Sequence, residues 1–291
     1  MSAGALYAVT AFVLWGIFPL YFKLLHGVAA GEILAQRMAW TMLVVVALLA
    51  VLRRWNWLRE LATGGSRVWI TFAASALLIS VNWGTFIWSV ENAHVVDASL
   101  GYFINPLVSV LLGAVVLGER PRPFQWAALA LAAAGVVELG MAAGAPPWIG
   151  LILALSFGVY GLLRKTAPLG AVEGLALETA LLFPFAVGYL AWLGLHDESA
   201  WLAASSSRRA LLAATGPLTA IPLLLFAAGA RRIALTQLGV LQYISPTLQW
   251  LIGVAILNEP VDASRLLGFA MIWLAITAYS TEGAWQRLRI A

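Results

Sequence analysis

The sequence predicts an all-α integral membrane protein of ten transmembrane helices, arranged as two inverted five-helix repeats with both termini in the cytoplasm. Three observations predict it. Of the 291 residues, 62% are hydrophobic and only 10% are charged, against about 25% charged in a soluble domain. The apolar residues fall into ten runs near the length of about 20 residues that a 30 Å bilayer core requires. The second half of the chain also echoes the first at a nearly constant offset.

So little polar surface excludes a soluble enzyme, a nucleic-acid binder and a disordered scaffold. The net charge of +4 does not point to nucleic acid, because the basic residues sit in short loops, where positive charge sets orientation in a membrane. Cysteine is absent, which removes disulfides, thiolate metal sites and thiol catalysis. Met1 to Gly4 carry no basic stretch, and the apolar run that follows is long enough to span. No cleavable leader is expected, and no soluble domain at either end.

The ten runs cover residues 3–25, 32–52, 67–90, 95–117, 122–140, 146–163, 171–193, 208–230, 235–257 and 263–283. Their apolar residues do not alternate every second position, so a β-barrel is excluded and helix is the expectation. Gly, Pro and charge mark the short loops, as at Gly27 to Gly31, Gly118 to Pro123, Pro146-Pro147 and Glu259-Pro260.

Counting basic residues by side orients the chain. With a cytoplasmic N-terminus, the inner side holds Arg53, Arg54, Arg59, Arg67, Arg120, Arg122, Arg164, Lys165, Arg231, Arg232, Arg287 and Arg289. The outer side holds Lys23, Arg208, Arg209 and Arg265. The excess of twelve over four places both termini inside. Trp55, Trp57, Trp69, Trp148, Trp192, Trp201 and Trp285 fall near run ends, where indoles anchor at the interface.

The repeat appears in matched residues. Asn105-Pro106 opens a stretch closing at Glu119, and Ser245-Pro246 opens one closing at Glu259, with Pro and Glu 13 apart in both and Gly113 matching Gly253. The offset is 140 residues. Trp15-Gly16 and Lys23 match Phe157-Gly158 and Lys165 at 142, and Glu32 matches Glu173 at 141. Residues 1–141 and 142–291 are thus expected to form two repeats of five spans. An odd number inverts the second repeat, and inverted halves that rock about a central site are the architecture of alternating-access carriers.

At this point the residues resemble a known family. Trp15-Gly16-Ile17-Phe18-Pro19 resembles the first-helix motif of the EamA branch of the drug/metabolite transporter (DMT) superfamily. The RarD-like subgroup is approached more closely by Glu32-Ile33-Leu34, Asn82-Trp83 with Phe86-Ile87-Trp88, and the run from Ala98 to Leu107. Tyr160-Gly161, Leu163-Arg164-Lys165 and Gln242-Tyr243-Ile244 with Pro246-Thr247-Leu248 add to it. The resemblance covers nearly the whole chain. It implies a ten-helix carrier of the bacterial inner membrane, and bacterial members of the family include exporters of amino acids and related metabolites.

Several residues are candidates to line the path. Gly101, Asn105, Ser109 and Gly113 recur every four residues and share one helix face. Small residues suit close helix packing, whereas the Asn105 amide needs partners in a membrane, and Pro106 frees a nearby carbonyl. Ser245-Pro246, with Gln242 just before, repeats the device. Trp15, Asn82, Trp83, Phe86, Tyr102, Tyr160 and Tyr243 add rings and polar tips inside the runs rather than at the interface. For each ring, core filling and cavity lining are both open readings. A cavity so walled suits a small amphipathic solute, such as an amino acid with an apolar side chain.

Charges inside spans are costly and often functional. Arg37, Glu138 and Glu178 qualify, as ion pairs or gate elements. Arg37 and Glu178 differ in depth by roughly 12 Å, so they are not expected to pair. Arg37 is matched instead with Glu138, and Glu178 with Lys165 or Arg164. Proton coupling through Glu178 is an alternative. Glu119 and Glu259 precede prolines and are read as helix-end markers.

The leading expectation is a secondary-type transporter, an exporter of amino acids or similar small metabolites by alternating access. Carriage of drugs, nucleotide sugars or lipid precursors on the same scaffold is the alternative; anionic headgroups would require Arg or Lys in the cavity, and Arg37 keeps that open. An intramembrane enzyme is disfavoured, because His26, His94 and His196 lie apart in outer loops and no metal-binding His pair or phosphate-binding loop exists. No catalytic residue, metal or cofactor is expected. The expected partners are a small-molecule substrate and the lipid bilayer, not nucleic acid, with the chain a monomer or weak oligomer.

Overall fold

A computed structural model describes residues 1–63, 65–91, 95–143, 148–256 and 263–290. Among them there is no strand, and the chain is an all-helical integral membrane protein. The long elements are α1 (Ala3–Gly16), α2 (Phe18–Leu24), α3 (Ala30–Leu52), α5 (Gly65–Glu91), α6 (Val95–Val116), α7 (Pro123–Ala143), α8 (Trp148–Thr166), α9 (Ala171–Leu195), α11 (Ser206–Ala230), α12 (Leu235–Gln242), α13 (Ile244–Ala255) and α14 (Ala263–Ile290). Two short helices, α4 (Trp57–Thr63) and α10 (Ala200–Ala203), lie in loops.

Seven stretches among the described residues are long and apolar enough to cross a membrane: Ala3–Leu24, Ala30–Leu52, Gly65–Ser89, Pro123–Met141, Trp148–Thr166, Ala171–Leu195 and Ser206–Ala230. Each coincides with an expected run. Gly101–Val116 and Leu266–Tyr279 are shorter apolar helices within two further runs. The expected run over 235–257 is divided at Tyr243 into α12 and α13. Glu259 lies outside the described residues.

A proline follows each of the breaks at Ile17 and Tyr243. Pro246 has no N–H to return to the Gln242 carbonyl, so the helix steps at Tyr243. Pro19 likewise leaves the Trp15 carbonyl without its helical donor, and α1 ends at Gly16. That carbonyl is not wasted: Gln249 on α13 donates its side-chain amide to it at 3.2 Å. A freed backbone acceptor inside a membrane needs such a partner.

The main packing pairs are α1 with α11, α5 with α8, α3 with α11, α5 with α9, α1 with α12 and α13, and α6 with α8. Three more pairs are α3 with α9, α6 with α12 and α7 with α14. Glycines permit the closest crossings. A Cβ on Gly216 would stand 2.6 Å from Trp40 Cβ, and one on Gly239 would stand 2.7 Å from the Pro106 carbonyl oxygen. Gly101 meets Leu153 and Gly150 of α8, and Gly113 meets Thr236, so both stripe glycines serve packing. The outer surface is apolar, with Val51, Val115, Phe185 and Ile70 exposed. Trp55, Trp69, Trp148 and Trp192 are exposed near helix ends. Trp57 instead packs into the core.

Candidate functional site

At the end of the bundle that carries the α1 N-terminus, Glu119 and Lys165 form a polar cluster. The Glu119 carboxylate accepts from the Leu235 and Thr236 backbone N–H groups at 2.6 and 2.8 Å. It therefore caps α12 from a loop 116 residues away in sequence. Negative charge at a helix N-terminus complements the orphan donors and the helix dipole. Lys165 Nζ stands 3.9 Å from the same carboxylate and donates to the Ala230 and Ile233 carbonyls at 3.2 and 2.5 Å. Arg231 donates to the Ala167 and Leu169 carbonyls.

Next to Lys165 on α8, Arg164 enters a buried ion pair. Arg164 and Glu178 approach to 3.4 Å, each 2% exposed. Ser75 donates to the carboxylate at 2.5 Å and Tyr160 at 3.4 Å. The expected reach of Glu178 towards Arg164 is thus seen. The inner-loop position given to Arg164 is corrected: α8 continues to Thr166, which carries Arg164 into the last turn on the same face as Tyr160.

Above this pair the aromatic residues converge. Trp15, Phe157 and Phe226 form a triangle with centroids 5.7, 5.7 and 5.2 Å apart, and Tyr160 stacks on Phe226. Trp83 and Tyr160 share a cavity with Thr41, Glu178 and Thr179. Its volume is about 10 Å³, room for a single water molecule. Beside it, an apolar cleft of about 580 Å³ runs between α3, α5 and α9 and shares Met38 and Leu182 with the cavity.

Nearer the opposite end, Arg37 projects from α3. Its Nε donates to Thr219 at 3.0 Å, and the guanidinium carbon lies 4.6 Å from the Trp83 ring centroid and 5.6 Å from that of Phe22. The Tyr21 and Tyr102 phenols lie within its electrostatic reach. Phe86 meets Tyr102 edge-on at 5.9 Å. The expected match of Arg37 with Glu138 is not what forms. Glu138 is on α7, which packs on α14 and α6, and no contact of Arg37 comes from α7 among the described residues.

The remaining candidates are dispersed. Asn82 is buried and donates to the Leu153 carbonyl and Ser156. Gln242 exchanges hydrogen bonds with Ser109, joining α12 to α6. Asn105 is buried with its Oδ1 unpaired among the described residues, close to Gly158 of α8. Tyr243 packs with Phe103 and Phe269, its hydroxyl likewise unpaired. The structure thus gathers Trp15, Trp83 and Tyr160 at the centre and Arg37, Phe86 and Tyr102 beside it. Sequence reasoning missed Thr219, Ser75 and the Glu119 cap, because each partner comes from the other half of the chain; it missed Phe22 on the neighbouring α2 because a ring in an apolar run carries no sign of a cation beside it. A Glu followed by Pro reads as a local helix end and carries no sign of a cap in trans.

The model of the EamA-like transporter family matches residues 2–141. Protein RarD of Streptomyces exfoliatus is 47% identical over 99% of this chain and 90% of its own length. An uncharacterized transporter of Pseudomonas aeruginosa is 46% identical over 99% and 96%. Protein RarD of Escherichia coli is 41% identical over 98% and 96%. A crystal structure of a protein 24% identical in sequence superposes with a TM-score of 0.69, over 96% of this chain and 98% of that one, which shows a shared fold.

Proposed function

The chain belongs to the EamA family of the DMT superfamily, in its RarD-like group, and from that premise we propose that it is a secondary carrier exporting amino acids or similar small amphipathic metabolites. It is a multi-pass protein of the inner membrane and a transporter of the DMT kind; the solute, the direction and the alternating-access mechanism are our reading.

The observation that carries this reading is the packing pattern. Exchange the five spans of residues 1–141 with those of 142–291, and most of the main pairs, α6–α7 excepted, map onto one another. The α1–α11 pair becomes α8–α5, α3–α11 becomes α9–α5, and α1 against α12 and α13 becomes α8 against α6. The α3–α9, α6–α12 and α7–α14 pairs each map onto themselves. This pattern supports ten spans in two inverted repeats about a central site, the geometry of alternating access. The basic residues crowd the end holding the α1 N-terminus, which supports a cytoplasmic location for that end.

In this reading the Glu119–Lys165 lock closes the cytoplasmic mouth. Trp15, Trp83, Phe86, Tyr102 and Tyr160 wall the path. Asn82, Asn105, Gln242 and Tyr243 become available as the helices separate. The test is flux in proteoliposomes with a panel of radiolabelled amino acids, with and without a pH gradient. Saturable flux that falls on Trp83→Ala or Tyr102→Ala is the expected outcome. Absence of flux for every amino acid would remove that solute class.

A further inference from the structure

We infer that Arg37 is the anchor for a carboxylate, so that the transported solute is a small organic acid with an apolar body whose acid end docks beside Trp83. The inference rests on the carrier reading above and names the chemistry its site selects.

The argument starts from cost. A guanidinium inside a bilayer is expensive unless it is paired. Arg37 stands about 10 Å in from the start of α3, in the membrane-spanning part of the helix. Among the described residues, no carboxylate lies within ion-pair distance of it. The buried carboxylates are committed elsewhere: Glu178 to Arg164, Ser75 and Tyr160, and Glu32 to Ser199 and the Ala200 and Trp201 N–H groups. Arg37 uses Nε on Thr219 and is steadied by the faces of Trp83 and Phe22. Its Nη groups have no protein acceptor among the described residues, and the residue as a whole is part-buried. A fixed guanidinium fork left unspent presents two parallel donors, and this geometry fits a carboxylate bidentately.

The surroundings set the rest of the ligand. Trp83, Phe22 and the Phe86–Tyr102 pair make the walls apolar. Trp83 also lines the small central cavity, so the same indole touches both the Arg37 box and the path. An acid end on Arg37 would therefore lay an apolar body along Trp83 towards the centre. A purely structural cation–π strut would not need the Nη donors left without an acceptor.

The test uses purified full-length protein and paired probes: radiolabelled 3-phenylpropionate, indole-3-acetate, phenylalanine and leucine, each against its uncharged-carboxyl amide. Binding is read by scintillation proximity, and fold integrity by monodispersity and thermal melting. At least one carboxylate should bind roughly ten- to hundredfold tighter than its amide. Arg37→Gln should remove most of that difference, weakening carboxylate binding far more than amide binding, and Arg37→Lys should retain a fraction, since a point charge lacks the fork. Arg37→Lys serves as the variant of record should Arg37→Gln fail to fold. Equal binding of acid and amide, carboxylate binding untouched in either variant, or no carboxylate binding at all overturns the inference. Flux of neutral or cationic solutes that survives Arg37→Gln would overturn it while leaving the carrier standing; no flux of any solute would instead count against the carrier.

Discussion

Arg164 and Glu178 form an ion pair with each side chain 2% exposed, and the carboxylate takes a further hydrogen bond from Ser75. The pair joins α8 to α9 and, through Ser75, to α5. Removing one partner of a buried pair strands the other charge, at a cost of about 3–5 kcal/mol. Arg164→Met should therefore lower the yield of monodisperse protein sharply. Arg164→Met combined with Glu178→Leu should recover much of it. A single variant as stable as the parent in a detergent thermal melt would show that the pair is dispensable.

Glu119 offers a more graded change. Glu119→Gln keeps an acceptor for only one of the Leu235 and Thr236 N–H groups, turns an NH2 donor towards the other, and removes the charge that faces Lys165. Loss of a capping charge is worth roughly 0.5–2 kcal/mol. If the lock holds the cytoplasmic mouth shut, this variant should expose the path from that side. The chain has no cysteine, so Ser109→Cys gives a single reporter, buried in the parent. A membrane-impermeant thiol reagent in inverted vesicles should label it several-fold faster with Glu119→Gln, and equal rates would remove the gate role.

Much of this arrangement is legible in the sequence. Run lengths locate the seven long spans, because hydropathy is local. The repeat reading rests on Pro106, Glu119, Pro246 and Glu259. Trans contacts are not legible. Depth alone matches Arg37 to Glu138, but depth does not say which helices are neighbours, and α7 brings no contact to Arg37. Arg164 reads as a loop residue because a charge near a helix end suits solvent, whereas Glu178 compensates it inside. Asn82 is a cavity candidate by type, yet its amide is consumed in holding α5 to α8.

Gln249 and the Trp15 carbonyl give a test of the α1 break. Gln249→Ala should cost about 0.5–1.5 kcal/mol by leaving that acceptor unmet. In a Pro19→Ala background the helix can supply its own donor, and the same change should cost less. A double-mutant cycle measures the difference; strictly additive effects would mean that Pro19 is not the reason for the bond.

Glycines separate into two groups with opposite expected signs. Gly216→Ala and Gly239→Ala drive a Cβ into Trp40 and the Pro106 carbonyl, an overpacking expected to cost about 1–3 kcal/mol. At Gly84 and Gly188 an added methyl group would meet nothing within 4 Å, so Ala there should stabilise helices α5 and α9 by roughly 0.5–1 kcal/mol. Thermal melts of the four variants should fall on both sides of the parent.

The cap that Glu119 places on α12 also constrains biogenesis. The acceptor is synthesised 116 residues before the donor it serves, so during translation the first half emerges with a carboxylate that has no mate. The second half emerges with an α12 start whose N–H groups depend on that carboxylate. Neither half is a finished product when it leaves the ribosome. Halves expressed apart, at residues 1–141 and 142–291, should be degraded singly and rescued together, which makes assembly itself the quality check on the nascent chain.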